Sequence, residues 1–288
     1  MPILDKLLLK NPILRLLSKY GFTDNSSGTA RFSKTQMANR LQEIEERKRA
    51  GIEDIYSRGD ILTMFLESQA NDKSGFFDDS RVLTMTTSIA LAGSDTTAIS
   101  LSAVFYHLLH NPRCLKLLLQ ELEDATRSGA IEDSEIVSWS CAQKLPYLDA
   151  CIKETLRYHP AISLNLERLT PPEGIEIAGN YIPGGVVVSC NPWVLHRRKD
   201  VFGEDADTFK PERWLVDESG DKAEEQARLG QMKATSLHFG GGSRTCLGKH
   251  IALLEMYKLI PSFLKRFEVR IHCLHLTSYH SSISAVKT

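Results

Sequence analysis

Cysteine is scarce in this sequence, and its spacing is uninformative about disulfides. The 288 residues hold six, at 114, 141, 151, 190, 246 and 273, and no two form a C-x-x-C pair. That excludes a disulfide scaffold and points to a reducing, intracellular compartment. Charge of one sign is missing too: 35 Lys and Arg face 36 Asp and Glu, a net charge of −1. Bulk electrostatics therefore indicate neither nucleic acid nor an acidic membrane as a partner. Internal repeats and low-complexity tracts are absent. The amino terminus, MPILDKLLLKNPILRLLSKYGF, lacks a long hydrophobic run, because Lys6, Lys10, Arg15 and Lys19 interrupt it. It falls short of the ~18–20 apolar residues of a spanning helix. It also lacks the small-residue cleavage site of a secretory signal. Leu7, Leu8, Ile13, Leu14 and Leu17 could line an apolar face that packs on the protein or rests on a bilayer, and packing is the expectation.

What is present is an ordinary globular composition, 42% hydrophobic and 25% charged, enough to bury a core. Helical patterning dominates the first part. Gln36 to Ala50 reads as a charged amphipathic helix stopped by Gly51. Asp60 is placed to cap a helix through Ile61, Met64, Phe65 and Ser68. A long helix is expected from Asp79 to His110, ended by Asn111-Pro112. It is apolar on most faces, which marks it as central. Pro112 and Pro146 each open a further helix, the second ending before His159-Pro160. Gly174 to Cys190 groups β-formers between Gly and Pro turns and reads as a small antiparallel sheet. Asp217 to Thr235 is polar and reads as an exposed connection. A last helix follows Gly248, with Pro261 kinking it or marking its final turns. The fold class is mainly α with a small antiparallel β-sheet. No linker divides the chain, so one domain over 1–288 is expected.

The chemistry concentrates in Phe239-Gly-Gly-Gly-Ser-Arg-Thr-Cys-Leu-Gly248. A cysteine that ligates porphyrin iron must come close to a flat ring on a tight loop, and glycines permit that. Its sulfur must stay an anion, which the amino end of a following helix favours. Backbone N–H groups near the sulfur then tune the metal. An arginine two residues earlier can neutralise a propionate. Gly240, Gly241, Gly242, Arg244 and Cys246 meet each need. A phosphate loop is the first rival. Five residues rather than four separate Gly242 from Gly248, and His250 follows Lys249 where Ser or Thr is required,. The second rival is a cysteine that merely fills a glycine turn, the commoner fate of a lone free cysteine.

Phe239, Gly242, Arg244, Cys246 and Gly248 match F-x-x-G-x-R-x-C-x-G, so the sequence resembles the cytochrome P450 superfamily. The resemblance implies the family's fold and makes Cys246 the axial ligand of haem b. Arg244 is then a propionate partner, and Phe239 a shield for the thiolate. Ala92-Gly93-Ser94-Asp95-Thr96-Thr97 resembles the family's A-G-x-[DE]-T-T segment. That resemblance assigns Thr96 to a hydrogen bond on the oxygen being activated, Asp95 to the proton relay, and Gly93 to leaving room for ring and ligand. Thr96 can also bond back to the preceding turn and open the helix locally. Glu154 and Arg157 match E-x-x-R, and Arg213 lies in a segment resembling P-E-R-[FW]. The resemblance makes these three a buried structural set that holds the cysteine loop. Arg168, just before the sheet, is a candidate for the second propionate. Leu195-His196-Arg197 also resembles a family stretch and receives no catalytic role.

Order and spacing of these motifs agree with the family from about Gln36 to Phe267. Family members are much longer, so the resemblance implies a partial domain. The family's membrane anchor, several helices, a further propionate contact and much of the substrate pocket would lie before residue 1. Full-length relatives are expected at the endoplasmic reticulum membrane, with no transmembrane segment in these residues. The tail, 270–288, departs from the family's closing strand hairpin. Its His272, Cys273 and His275 lack a fourth partner for a metal site. The implied activity is a monooxygenase that activates O2 and oxidises an organic small molecule, with an NADPH-dependent reductase as electron donor. The alternatives are a truncated haem-binding remnant unable to turn over, with weak haem retention, and a helical interaction protein without haem. The wording of the motifs is similar to filamentous-fungal members that oxidise secondary metabolites.

Overall fold

The structure is a computed structural model that describes residues 28–131, 136–273 and 281–287. The apolar face at residues 7–17 lies outside the described residues, as do His275 and the side chains of His272 and Cys273. The chain forms two compact units, with the boundary between Ser94 and Asp95.

The first unit contains α1 (Gly28–Arg49), α2 (Ile61–Asn71) and the opening turns of α3 (Asp79–His110). Its small core gathers Met37, Ile44, Leu66 and Val82. Helix α1 begins eight residues before the expected start and ends where Gly51 takes a φ of 70°. Asp60 caps α2 by accepting from the Thr63 N–H at 2.9 Å. Its carboxylate is held by the Arg40 guanidinium through two contacts of 2.8 Å, which pull its pKa below the usual carboxylate range.

The second unit takes up α3 from Asp95 onward. Helices α4 (Pro112–Arg127) and α6 (Pro146–Tyr158) both begin at proline, whose missing N–H costs nothing in a first turn,. Between them lies the short α5 (Trp139–Ala142), and near the end α10 (Lys249–Leu264). Their inward faces supply one main core, with Val104, Leu108, Leu118, Leu148, Ile152, Met256 and Ile260 among its members. Pro261 sits within the final turn of α10.

The β-structure is more divided than the sequence suggests. Strand β1 (Leu166–Leu169) pairs antiparallel with β4 (Val187–Cys190), while β2 (Ile175–Ile177) and β3 (Asn180–Ile182) form a separate hairpin. Ala178 and Gly179 turn that hairpin with φ of 52° and 76°, the geometry a tight two-residue β-turn demands. Two ladders of two strands therefore replace the single sheet expected over 174–190. Strands β5 (Phe267–Cys273) and β6 (Ser281–Lys287) also pair antiparallel, so the described residues of the tail form a strand ladder despite their atypical sequence.

Two further differences have physical causes. The polar stretch read as a connection contains α9 (Lys222–Thr235). Asp221 caps it by accepting from the Ala223 and Glu224 N–H groups, and Glu224 and Glu225 sit in the first turn, where negative charge is favoured,. One buried residue, Met232, anchors it, which is too little for an apolar period to show. Helix α3 is less enclosed than expected: Val104 and Leu108 are buried, yet Ile89, Leu91 and Ile99 are exposed. It is also long and apolar enough to cross a membrane by length and composition, with a mean hydropathy of 1.2 over its most apolar stretch. Between the long helices and the cysteine loop run α7 (Pro192–Leu195), α8 (Lys199–Phe202) and a 3₁₀ turn at Pro211–Trp214.

Candidate functional site

The glycine-rich loop is closed by its own backbone. The Gly240 N–H donates to the Leu237 carbonyl at 2.8 Å, and the Cys246 N–H to the Phe239 carbonyl at 2.9 Å. Inside this ring Gly240 and Gly242 have φ of 69° and 66°, a region that L side chains enter only at a cost. A 3₁₀ turn, Gly242–Arg244, follows, and Thr245 is tied to the Gly242 carbonyl by both its N–H and its hydroxyl. Phe239 is half-buried against the main core. Lys249 Nζ lies 5.9 Å from the centre of its ring. Arg244, Cys246 and Leu247 are exposed. Helix α10 starts three residues after Cys246, and the amino end of a helix favours negative charge. Among the described residues no group of three or more His, Cys, Asp or Glu could hold a metal ion. Cys246 thus presents the chemistry of a lone soft donor.

Arg168 meets this loop. It lies on β1 opposite Val188, and its Nη2 donates to the Gly241 carbonyl at 3.4 Å. A groove of about 850 Å³ lined by Leu115, Leu119, Phe267 and Val269 includes none of the predicted site residues.

Beneath the loop the three expected charged residues form one saturated network. Glu154 and Arg157 are fully buried and Arg213 nearly so. Arg157 donates to Glu154 from Nε at 2.8 Å and Nη2 at 2.7 Å, and Arg213 from Nε at 2.9 Å. The indole of Trp214 and the N–H of Lys210 complete the carboxylate's partners, both at 2.9 Å. The remaining donors of Arg157 go to the carbonyls of His196, Ala206 and Thr208. Those of Arg213 go to the carbonyls of Phe202, Asp205 and Thr208 and to the Asp205 carboxylate. Every guanidinium donor is used, which is what makes buried charge tolerable. Arg228 on α9 adds a clamp, reaching the carbonyls of Arg213 at 2.7 Å and Leu215 at 3.1 Å.

His196 lies in the stretch that receives no catalytic role from the sequence. The structure buries it completely. Its ring joins the Arg157 carbonyl, 3.0 Å from Nδ1, to the Leu237 N–H, 2.8 Å from Nε2. Burial, reinforced by the charges of Arg157 and Arg197, lowers its pKa to about 4. The only signal in the sequence was its place in Leu195-His196-Arg197.

The Ala92–Thr97 segment lies within α3, which runs as uninterrupted helix rather than opening there. Gly93 and Asp95 are exposed, Thr96 is half-buried and Thr97 buried. The Ser100 hydroxyl donates to the Thr96 carbonyl at 2.9 Å. Beyond its chain neighbours and its own helix backbone, a Cβ on Gly93 would meet no atom within 4 Å. Packing therefore does not explain a mid-helix glycine that costs ~1 kcal/mol relative to alanine.

The sequence model of the cytochrome P450 family matches residues 8–278. The chain belongs to the cytochrome P450 family. Cytochrome P450 monooxygenase cicH of Emericella nidulans is 43% identical over 269 residues, 93% of this chain and 50% of that protein. A cytochrome P450 monooxygenase of Aspergillus terreus is 40% identical over 276 residues, 95% of this chain and 52% of its own length. Pisatin demethylase of Fusarium vanettenii is 43% identical over 181 residues, 63% of this chain and 32% of that protein. The chain thus spans about half the length of the first two cytochrome P450 relatives.

Proposed function

We propose that this cytochrome P450 chain holds haem b through the Cys246 sulfur and serves the oxygenation of an organic small molecule, with electrons from an NADPH-dependent reductase. The observation that carries the reading is the exposed Cys246 sulfur on a backbone-closed glycine loop that leads into α10. The residues present fit such a group. One soft donor on a glycine loop would suit it, and Gly242 lies where an added Cβ would meet nothing within 4 Å.

Haem held there by a thiolate would supply dioxygen activation. The chain's own residues bind and orient. Cys246 would provide the sulfur anion, and Phe239 would shield it. Arg244 and Arg168 would neutralise the haem propionates by charge-assisted hydrogen bonds. Gly93 would leave space, Thr96 would offer a hydroxyl, and Asp95 would pass protons. Glu154, Arg157 and Arg213 hold the loop and do no chemistry. A secondary metabolite as substrate and the endoplasmic reticulum membrane as the site of action belong to the same proposal.

The deciding experiment is the reduced, carbon monoxide-bound Soret spectrum of the reconstituted chain. A thiolate-type band is expected, and Cys246→Ala should abolish it. A band that survives the substitution refutes the ligand assignment. NADPH consumption with a reductase, and oxygen incorporation into product, then separate an active monooxygenase from a haem-binding chain that does not turn over.

A further inference from the structure

We infer that His196 is a positioning residue for the cysteine loop: a neutral imidazole of fixed tautomer that fastens the loop's first residue to the helix carrying Glu154 and Arg157. The inference rests on the reading of Cys246 as the iron ligand and adds to it a residue that sets where that ligand stands.

The tautomer follows from the partners. A backbone N–H can only donate, so Nε2, 2.8 Å from the Leu237 nitrogen, must be the acceptor,. The ring hydrogen then sits on Nδ1 and is donated to the Arg157 carbonyl at 3.0 Å. Protonation would put a hydrogen on both nitrogens and expel Leu237. Burial and the charges of Arg157 and Arg197 oppose that, and they outweigh the Arg157 carbonyl, which favours it. Arg157 and Arg197 are cationic, and His238 and Phe202 lie with ring centres 6.2 and 6.4 Å away.

The connections run unbroken from the buried carboxylate to the sulfur-bearing residue. Glu154 holds Arg157, and Arg157 Nη1 donates to the His196 carbonyl at 2.7 Å while the His196 ring returns a bond to the Arg157 carbonyl. His196 then holds the Leu237 N–H. The Leu237 carbonyl receives Gly240, and the Phe239 carbonyl receives Cys246. Leu237 follows directly on Ser236, the carboxy-terminal cap of α9. Its N–H is therefore the point where the loop leaves a helix and gains its first long-range tether. Few side chains present an acceptor and a donor two bonds apart inside a core. Imidazole does so across Cε1, and a glutamine amide does so across Cδ.

The test uses the full chain and the variants His196→Phe and His196→Gln. Two quantities are read: amide hydrogen exchange over Leu237–Cys246 in haem-free protein, and the thiolate-type share of the reduced carbon monoxide spectrum after haem loading. In His196→Phe, exchange over the loop should rise about tenfold or more, as expected for one buried hydrogen bond lost, with α6 far less affected. The thiolate share should fall. His196→Gln should restore at least half of both. Should Phe at 196 prevent folding, Leu237→Pro removes the one donor, keeps the imidazole and carries the same expectation. Unchanged loop exchange in His196→Phe overturns the inference. So does a uniform acceleration across the chain that Gln does not relieve. A parent chain with no thiolate band would sink the Cys246 reading instead, and the exchange data would still decide the His196 tether.

Discussion

Replacing Glu154 by glutamine is the sharpest test of the buried network. The carboxylate accepts five hydrogen bonds, two on Oε2 from Arg157 and Trp214 and three on Oε1 from Arg157, Arg213 and Lys210. An amide must turn its NH2 toward one of these sets, so at least two donors meet a donor. Two buried guanidinium groups also lose their shared counter-charge. Breaking a buried pair in this way costs about 3–5 kcal/mol. For a unit of this size that lowers the melting temperature by about 10 °C. The assay is a thermal melt followed by far-ultraviolet circular dichroism, with activity irrelevant to the outcome. Buried ion pairs elsewhere can often be exchanged for apolar groups without loss. Here a triple replacement of Glu154, Arg157 and Arg213 by Leu and Met should be no better than Glu154→Gln. The two arginines also satisfy the carbonyls of His196, Phe202, Asp205, Ala206 and Thr208, and apolar side chains would orphan them. A Glu154→Gln melt within about 2 °C of the parent, or recovery in the triple variant, would refute the reasoning.

Two further outcomes follow from the same structure. Burial lowers the pKa of His196 and His107 from 6.5 to about 4 and that of His238 to about 3. Below about pH 6.5 the unfolded chain therefore binds more protons than the folded one. Stability should be full above that pH and fall progressively toward pH 4, by about 3 kcal/mol for His196 alone. Urea midpoints that stay flat across this window would contradict it. Glycine substitutions should split by backbone: Gly242→Ala, at a φ of 66° in open space, should destabilise by about 1 kcal/mol. Gly93→Ala, in regular helix with nothing near, should stabilise haem-free chain by about 1 kcal/mol and lower haem occupancy. Melts and haem titrations check both signs.

Much of this could be read before any coordinates. The bounds of α3 follow from a sustained apolar pattern and the Asn111-Pro112 stop, and α4 and α6 from the prolines that open them. The cysteine loop and the Glu154–Arg157 pair stand out because their chemistry is local in sequence. What stayed hidden depends on distant partners. Strand β1 is defined only by its pairing with β4. Helix α9 has one apolar anchor, so its period is invisible, although Asp221 and Glu224 spell a cap. His196 looks like any histidine until residues 157 and 237 arrive on either side of its ring.

The open setting of Cys246 has a practical consequence. Cys114 and Cys151 are buried, and Cys141 and Cys190 are half-buried, so a brief maleimide pulse should favour the sulfur at 246 over these four. Coordination would withdraw that sulfur from the reagent. On the proposed ligation, peptide mapping of label at this position would measure the metal-free fraction of a preparation without any spectrum of the pigment.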